Sequence, residues 1–265
     1  MSDNNVSPNL KLQLLGPVAD SIAKTLQDCW DLTFGRFSLY VEKHRIRRAK
    51  ELEDFKETLE NKVNKIPPQR LCEPPLSIVG PIFEASKYYF EEKEIRDMFA
   101  SIISASVDVE TASIVHPSFS VIVQQLSRID AQNLEHFYRR KHYPLCEYQI
   151  KFSSDKNKNL ADISIPYITV HTNIFLTEPP TCTIEQGSIS ITTLERLGLI
   201  SVTYDKILRN NDYQIFETTE MFQSLITNCA HKPDQHPYIQ KGYASLTPLG
   251  MQLCSICFSD RVSDK

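Results

Sequence analysis

The sequence predicts a mainly α protein, with an N-terminal helical region that contains a long helix and a C-terminal α+β module that is winged-helix-like. Three observations lead to this fold class. Apolar residues recur three or four positions apart up to about Pro144. Alternating β-branched and aromatic residues follow. The last part then has the order helix, strand, helix, strand, helix, and the middle helix is a short one.

The N-terminal region is expected to be residues 15–126, after a flexible, polar N-terminus at 1–14. Gly16-Pro17 begins its first helix, since proline suits the first helical position. An apolar stripe runs from residue 18 to 41 and resumes from 52 to 66 with coiled-coil spacing. An unbroken helix of this length would measure about 75 Å. The helix therefore either folds back at Gly35 or projects and pairs with another chain. From the second alternative we expect a homo-oligomer formed through the N-terminal helix.

Shorter helices complete this region. Pro74-Pro75 opens one, a second covers about 93–107, and a third covers 119–126 after a polar loop. Asp130 is a good N-cap for the helix that follows.

The winged-helix-like domain is expected at 127–258, with β-strands inserted at 145–180 and a tail at 259–265. A helix from Ile189 to Leu197 ends at Gly198, a residue that suits a helix C-cap. A strand at 200–204 follows, then a helix at 221–227 and a strand around Tyr243. Thr247-Pro248 is an N-cap with proline behind it, and it starts the last helix.

The helix at 189–197 takes the place of a recognition helix, but its charge is wrong for reading DNA. Its one basic residue, Arg196, follows Glu195, and only Lys206 and Arg209 could serve a wing. Cations on phosphates supply much of nucleic-acid affinity. The pattern therefore favours a winged helix that contacts protein or acts as scaffold over one that binds DNA.

Charge and cysteine content exclude several classes. The net charge is −4, which argues against a broadly basic nucleic-acid-binding surface. The seven cysteines are scattered, and the N-terminus has no basic start followed by an apolar run, so we expect a cytoplasmic protein with reduced thiols. No stretch approaches the ~18 apolar residues of a transmembrane helix.

One basic run is a candidate for binding nucleic acid or another polyanion. It holds five cations: Lys43, Arg45, Arg47, Arg48 and Lys50. The alternative is a solvated helix face, because Glu51 and Asp54 follow at helical spacing and such pairs are usual on exposed helices.

A zinc site is the second candidate. The possible ligands are Cys229, His231, His236, Cys254 and Cys257. The alternative is that the last two cysteines face a helical core, where a free thiol packs as a small hydrophobe. This alternative fits their apolar neighbours better, so no metal or other cofactor is predicted.

No catalytic motif is present. The chain lacks a P-loop, a G-x-G-x-x-G, an H-E-x-x-H and a G-x-S-x-G, and seven glycines leave little material for a phosphate loop. A nuclease built from dispersed carboxylates stays open. His116 is expected to cap or orient the next helix rather than to act in a site.

The chain resembles the abortive infection alpha family, a bacterial and prophage family, at Leu15-Gly16-Pro17, at residues 74–108 and in three further segments that contain the most specific parts of the likeness. These three segments are HPSFSVIVQQLSRIDAQNL at 116–134, TLERLGLI at 193–200 and LTPLGMQLC at 246–254. The likeness extends over most of the chain, with Phe99 where the family often has tryptophan and Thr193 where it has asparagine.

The resemblance implies phage defence by abortive infection, and it brings no catalytic residues to carry over. We therefore expect a defence protein that acts through self-association and contact with a protein partner or phage component rather than through catalysis. The alternatives are a winged-helix DNA-binding prophage regulator and a cryptic nuclease.

Overall fold

A computed structural model describes residues 9–34, 46–89, 91–152, 166–209 and 213–262. The described residues fall into two compact units, one within residues 1–132 and 251–265 and the other within residues 133–250. The described helices are α1 Ala19–Phe34, α2 Ile46–Asn64, α3 Leu76–Ser86, α4 Lys93–Ser106, α5 Phe119–Gln124, α6 Arg128–Arg139, α7 Ile184–Arg196, α8 Gln214–Glu217, α9 Glu220–Cys229 and α10 Pro248–Val262. The strands are β1 His142–Phe152, β2 Tyr167–Ile174, β3 Ile200–Thr203 and β4 Gln235–Leu246. The protein is mainly α, as predicted, with one four-stranded antiparallel sheet.

The first two helices fold back on each other. The ring of Trp30 on α1 lies 5.8 Å from the ring of Phe55 on α2, and the ring of Phe34 lies 5.9 Å from it. In an unbroken helix Trp30 and Phe55 would lie about 37 Å apart at 1.5 Å per residue. The two helices therefore fold back on each other, and the projecting helix of about 75 Å is wrong; Gly35, where the fold-back was predicted, lies outside the described residues.

The apolar stripe of α2 is buried inside the first unit. Leu52, Phe55, Leu59 and Val63 are each 2% exposed or less. They pack with α4, whose inner face is equally apolar. Because this burial within one chain satisfies the stripe, it is not a surface that a second copy can pair with.

The N-terminal end of α6 corrects one prediction. Ser127 and Asp130 form a reciprocal capping pair, in which the Ser127 N–H donates to Asp130 Oδ2 at 2.8 Å and the Asp130 N–H donates to Ser127 Oγ at 3.2 Å. Asp130 is therefore the third residue of the first turn rather than the N-cap. The helix begins at Arg128, because the serine hydroxyl and the aspartate satisfy two backbone donors together.

The sheet of the second unit has the order β2-β1-β4-β3. The long pair β1–β4 runs from His142↔Ser245 to Phe152↔Gln235. One face of the sheet carries an apolar cluster with α8 and α9, while α7 packs against β2. The strand at 167–174 lies within the region where inserted strands are predicted, 145–180, whereas residues 153–165 of that region lie outside the described residues.

Two of the strands contain a proline at places where the sheet tolerates one. Pro144 on β1 precedes Cys146, the first residue of β1 that pairs with β2. Pro237 on β4 lies outside the part of β4 that pairs with β3, which starts at Tyr243. Each proline therefore has one unpaired side, where its missing N–H removes no ladder hydrogen bond.

The two C-terminal family segments meet at the junction of α7, β3 and α10. Gly198 ends α7 with a φ of +71°, which favours glycine. Thr247 caps α10: its Oγ1 donates to Gly198 O at 2.5 Å and accepts from the Gly250 N–H at 3.0 Å. The Thr247 N–H donates to Leu199 O at 3.0 Å. The cap predicted at Thr247 is confirmed. The two segments therefore have a structural role, because their hydrogen bonds join the end of α7 and the start of β3 to the start of α10.

Candidate binding groove

A groove of about 900 Å³ opens in the second unit between β2 and α9. Its walls come from three parts of the chain that are distant in sequence: the end of β2 with the residues that follow it, the first turn of α7, and the stretch from α8 into α9. The lining residues used below are Val170, His171, Phe175, Leu176, Glu178, Cys182, Thr183, Ile184, Glu185, Ile215, Thr219, Glu220, Met221 and Leu225.

Two helix N-termini open onto this groove, and each is satisfied by its own side chains. Thr183 and Gln186 form a capping box on α7, in which the Gln186 N–H donates to Thr183 Oγ1 at 3.3 Å and the Thr183 N–H donates to Gln186 Oε1 at 3.1 Å. On α9 the Phe222 N–H donates to Thr219 Oγ1 at 3.2 Å. These hydroxyls occupy donors that would otherwise attract an anion.

A buried tyrosine fixes the α9 wall to the sheet. The Tyr148 hydroxyl on β1 donates to Phe216 O at 2.8 Å and lies 2.8 Å from Thr219 Oγ1. Burial raises the pKa of Tyr148 far above its ordinary value. The hydroxyl therefore stays protonated and acts as a structural donor that holds the start of α9 in place.

The floor of the groove is apolar and its rim is acidic. Leu225 and Phe175 are buried, and Ile184, Ile215 and Met221 are half-buried. The rim carries three exposed carboxylates, those of Glu178, Glu185 and Glu220. Among the described lining residues there is no lysine or arginine.

One histidine lies beside this acidic rim. His171 is half-buried, and its charge is one of the influences that lower the pKa of Glu185. The larger influences on that pKa are hydrogen bonds from the backbone of Glu185 and from Thr183, so the carboxylate stays ionised. Glu185 therefore contributes a negative charge to the rim near neutral pH.

A smaller pocket of about 490 Å³ adjoins the groove across residues 176–178. It contains His136, Arg140 and Tyr143, and the Arg140 guanidinium lies over the Tyr143 ring at 5.2 Å. Burial lowers the pKa of His136 and raises the pKa of Tyr143. The smaller pocket thus carries the cation that the described lining of the larger groove lacks.

The basic residues predicted from the sequence lie elsewhere. Lys43 and Arg45 fall outside the described residues, as do the side chains of Arg47 and Arg48, and Lys50 is exposed on α2. Arg196, at the end of α7, is exposed, and so are Lys206 and Arg209 beyond β3. None of the described members lines the groove, and nucleic-acid binding by this set stays a prediction.

The candidate zinc ligands lie in different settings. Cys229 is buried at the end of α9, whereas His231 and His236 are exposed. Cys254 and Cys257 are buried in α10, and the Cys257 Sγ lies 4.0 Å from Met98 O in the first unit. Within the described ranges, no group of three or more histidine, cysteine, aspartate or glutamate residues is placed to hold a metal ion.

His116 acts as a cap in the structure. The Ser118 N–H donates to its Nδ1 at 3.1 Å, and the Ser118 Oγ lies 2.7 Å from the same atom. The imidazole therefore holds the turn before α5, as predicted. The groove itself was missed, although the spacing Thr183-Ile184-Glu185-Gln186 is a capping-box signal that could have placed the start of α7.

The fold is that of a mainly helical protein with an antiparallel sheet, and the second unit has a groove with an apolar floor. The model of one protein family, abortive infection alpha, matches residues 47–257. The chain therefore belongs to the abortive infection alpha family. No curated protein and no solved structure shows significant similarity to it. None of the helices in the described part of the chain is long and apolar enough to cross a membrane.

Proposed function

We propose that the protein acts in phage defence by abortive infection, and that it does so through protein contact rather than catalysis. Family membership supports the defence role. The observation that supports protein contact is the groove, which has an apolar floor and an acidic rim. The two helix N-termini at the groove are capped by Thr183 and Thr219. An apolar groove is one of the recurring ways in which a protein binds a segment of a partner protein.

Self-association remains part of this proposal, but through a different surface from the one first expected. The apolar stripe of α2 is buried against helices of its own chain. A second copy must therefore use surface outside that stripe. Light scattering on the purified full chain measures the oligomeric state, and a monomer at all concentrations would remove self-association from the proposal.

Phage plaquing with and without expression of the chain tests the defence role. We expect fewer plaques on expressing cells, together with loss of infected cells before they release phage. Equal plaque numbers with and without the wild-type chain would refute the defence role.

A DNA-binding prophage regulator is the second candidate, and one arrangement favours it. Helix α7 leads directly into β3, which pairs antiparallel with β4, and this is the order of a recognition helix followed by a wing. Lys206 and Arg209 follow β3 and are exposed. An electrophoretic shift at low salt that is lost in the Lys206→Ala/Arg209→Ala variant would support this candidate, and no shift at low salt would exclude it.

A further inference from the structure

The shape and charge of the groove identify the kind of partner it fits, an inference that rests on the proposed function. The floor is built from aliphatic and thioether side chains, including Ile184, Ile215 and Met221. At about 900 Å³ the groove lies near the upper end of the range of ligand pockets, which is roughly 300–1,000 Å³. It has room for several apolar side chains of one partner segment.

The charges around this floor are negative on three sides. Glu178 stands on the segment after β2, Glu185 in the first turn of α7 and Glu220 in the first turn of α9. The described lining offers no lysine or arginine in return, and His171 is its one basic side chain. An anionic partner would face three carboxylates that it cannot pair with.

The helix N-termini do not reverse this preference. Their partial positive charge is met by glutamates of the first turns, Glu185 and Glu220, and one backbone N–H of each helix is held by a threonine cap. A phosphate would have to displace these internal partners. The field in the groove therefore favours a cation above an apolar surface.

We propose that the groove binds a protein segment in which lysine or arginine residues lie next to apolar residues. The apolar side chains contact Ile184, Ile215 and Met221. The cationic side chains pair with Glu185 and Glu220 at the rim, where an ammonium or guanidinium complements a carboxylate. Exposed ion pairs contribute modestly, so the apolar contacts supply affinity and the charges supply orientation and selectivity.

Fluorescence anisotropy on the purified full chain tests this proposal. The probe is a short labelled peptide of leucine and lysine, and a leucine and glutamate peptide of equal length is its matched counterpart. We expect the lysine peptide to bind and to weaken as salt rises, and the glutamate peptide not to bind. Binding of both peptides with similar affinity, or of neither, overturns the proposal.

Variants locate the binding to the groove. The Glu185→Gln/Glu220→Gln variant is expected to weaken the lysine peptide by about tenfold, as expected for loss of two partly exposed ion pairs. The control, Glu195→Gln/Asp234→Asn, removes the same charge from exposed positions outside the lining. Equal weakening in both variants would mean nonspecific attraction and would overturn the proposal.

A third variant tests the apolar floor without changing charge. Met221→Ser is expected to weaken the lysine peptide, with far-UV circular dichroism at the assay temperature showing that the variant is folded. Unchanged affinity of the folded variant would overturn the proposed apolar contact. A labelled single-stranded oligonucleotide that displaces the peptide from the groove would overturn the proposal in favour of a nucleic acid.

Plaquing separates this proposal from the defence role. If the wild-type chain does not reduce plaques, the defence role fails whatever the peptide does. If the wild-type chain protects and Glu185→Gln/Glu220→Gln protects equally, the defence role stands and the groove is not the contact it uses. Loss of protection in this variant, with its control unaffected, supports both.

Discussion

Gly250 lies in the first turn of α10, and its substitution tests how the two C-terminal family segments, 193–200 and 246–254, pack against each other. A Cβ added there would lie 2.0 Å from Leu199 O and 2.9 Å from Leu199 C. The closest comfortable carbon–oxygen contact is about 3.3 Å. The Gly250→Ala variant must therefore move the first turn of α10 and Leu199 apart by about 1.3 Å.

That displacement has a magnitude that can be worked through. The Thr247 N–H donates to Leu199 O at 3.0 Å, and a shift of this size breaks that hydrogen bond, which contributes about 1 kcal/mol. Overpacking itself costs about 1–3 kcal/mol. Alanine gains about 1 kcal/mol over glycine in a helix, so the variant should be less stable by about 1–3 kcal/mol.

Thermal unfolding followed by circular dichroism measures the effect. For a chain of this size about 1 kcal/mol lowers Tm by roughly 2–4 °C, so a loss of about 1–3 kcal/mol should lower Tm by about 2–12 °C. The control is Gln252→Ala, an exposed position of the same helix, where the change should stay within about 0.5 kcal/mol. A Gly250→Ala variant as stable as wild type, or more stable, would show that helix propensity governs this position and would refute the close contact.

Three further predictions concern burial and pH. Tyr148→Phe removes the hydrogen bond from Tyr148 to Phe216 O, which still accepts from Thr219 Oγ1 at 3.2 Å, and should cost about 1 kcal/mol in the free energy of unfolding by urea; a change near zero would refute this role. Phe55→Ala should cost about 3–5 kcal/mol, whereas a loss as small as that of Val121→Ala, at an exposed position, would contradict the folded-back packing of α1 and α2. Burial lowers the pKa of His136, so the unfolded chain binds its proton first as pH falls below about 6.5, and stability decreases with it. The His136→Gln variant should lose less stability than wild type between about pH 7.5 and 5.5, and parallel pH profiles would contradict this.

Local signals in the sequence predicted much of the helical architecture. Thr247-Pro248 gave the start of α10 because the cap and the proline act within one turn. The pair of Ser127 and Asp130 shows the limit of such signals, since both residues are good caps and only the observed reciprocal bonds decide between them. The start of β4 was missed because Pro237 argues against a strand unless its neighbours in the sheet are known.

The groove and the folded-back helices depend on contacts between distant residues. Periodicity placed an apolar stripe on α2 but could not say whether it faces Trp30 of the same chain or a second copy. The groove joins β2 to α9 across some fifty residues, and its lining includes the neighbourhood of α8, a helix of four residues with no periodic signal of its own. The buried hydroxyl of Tyr148 joins β1 to the end of α8, and this contact between distant residues is not specified by any local sequence pattern.

The position of β2 at the border of the sheet also affects how the protein behaves in concentrated solution. No described strand pairs with its outer side, and Tyr167, Ile168 and Val170 are exposed along it. Backbone donors and acceptors beside apolar side chains form a template on which other chains can add and aggregate. Ile168→Lys places a charge at that border, as natural edge strands commonly do, and should let the purified protein be stored at higher concentration.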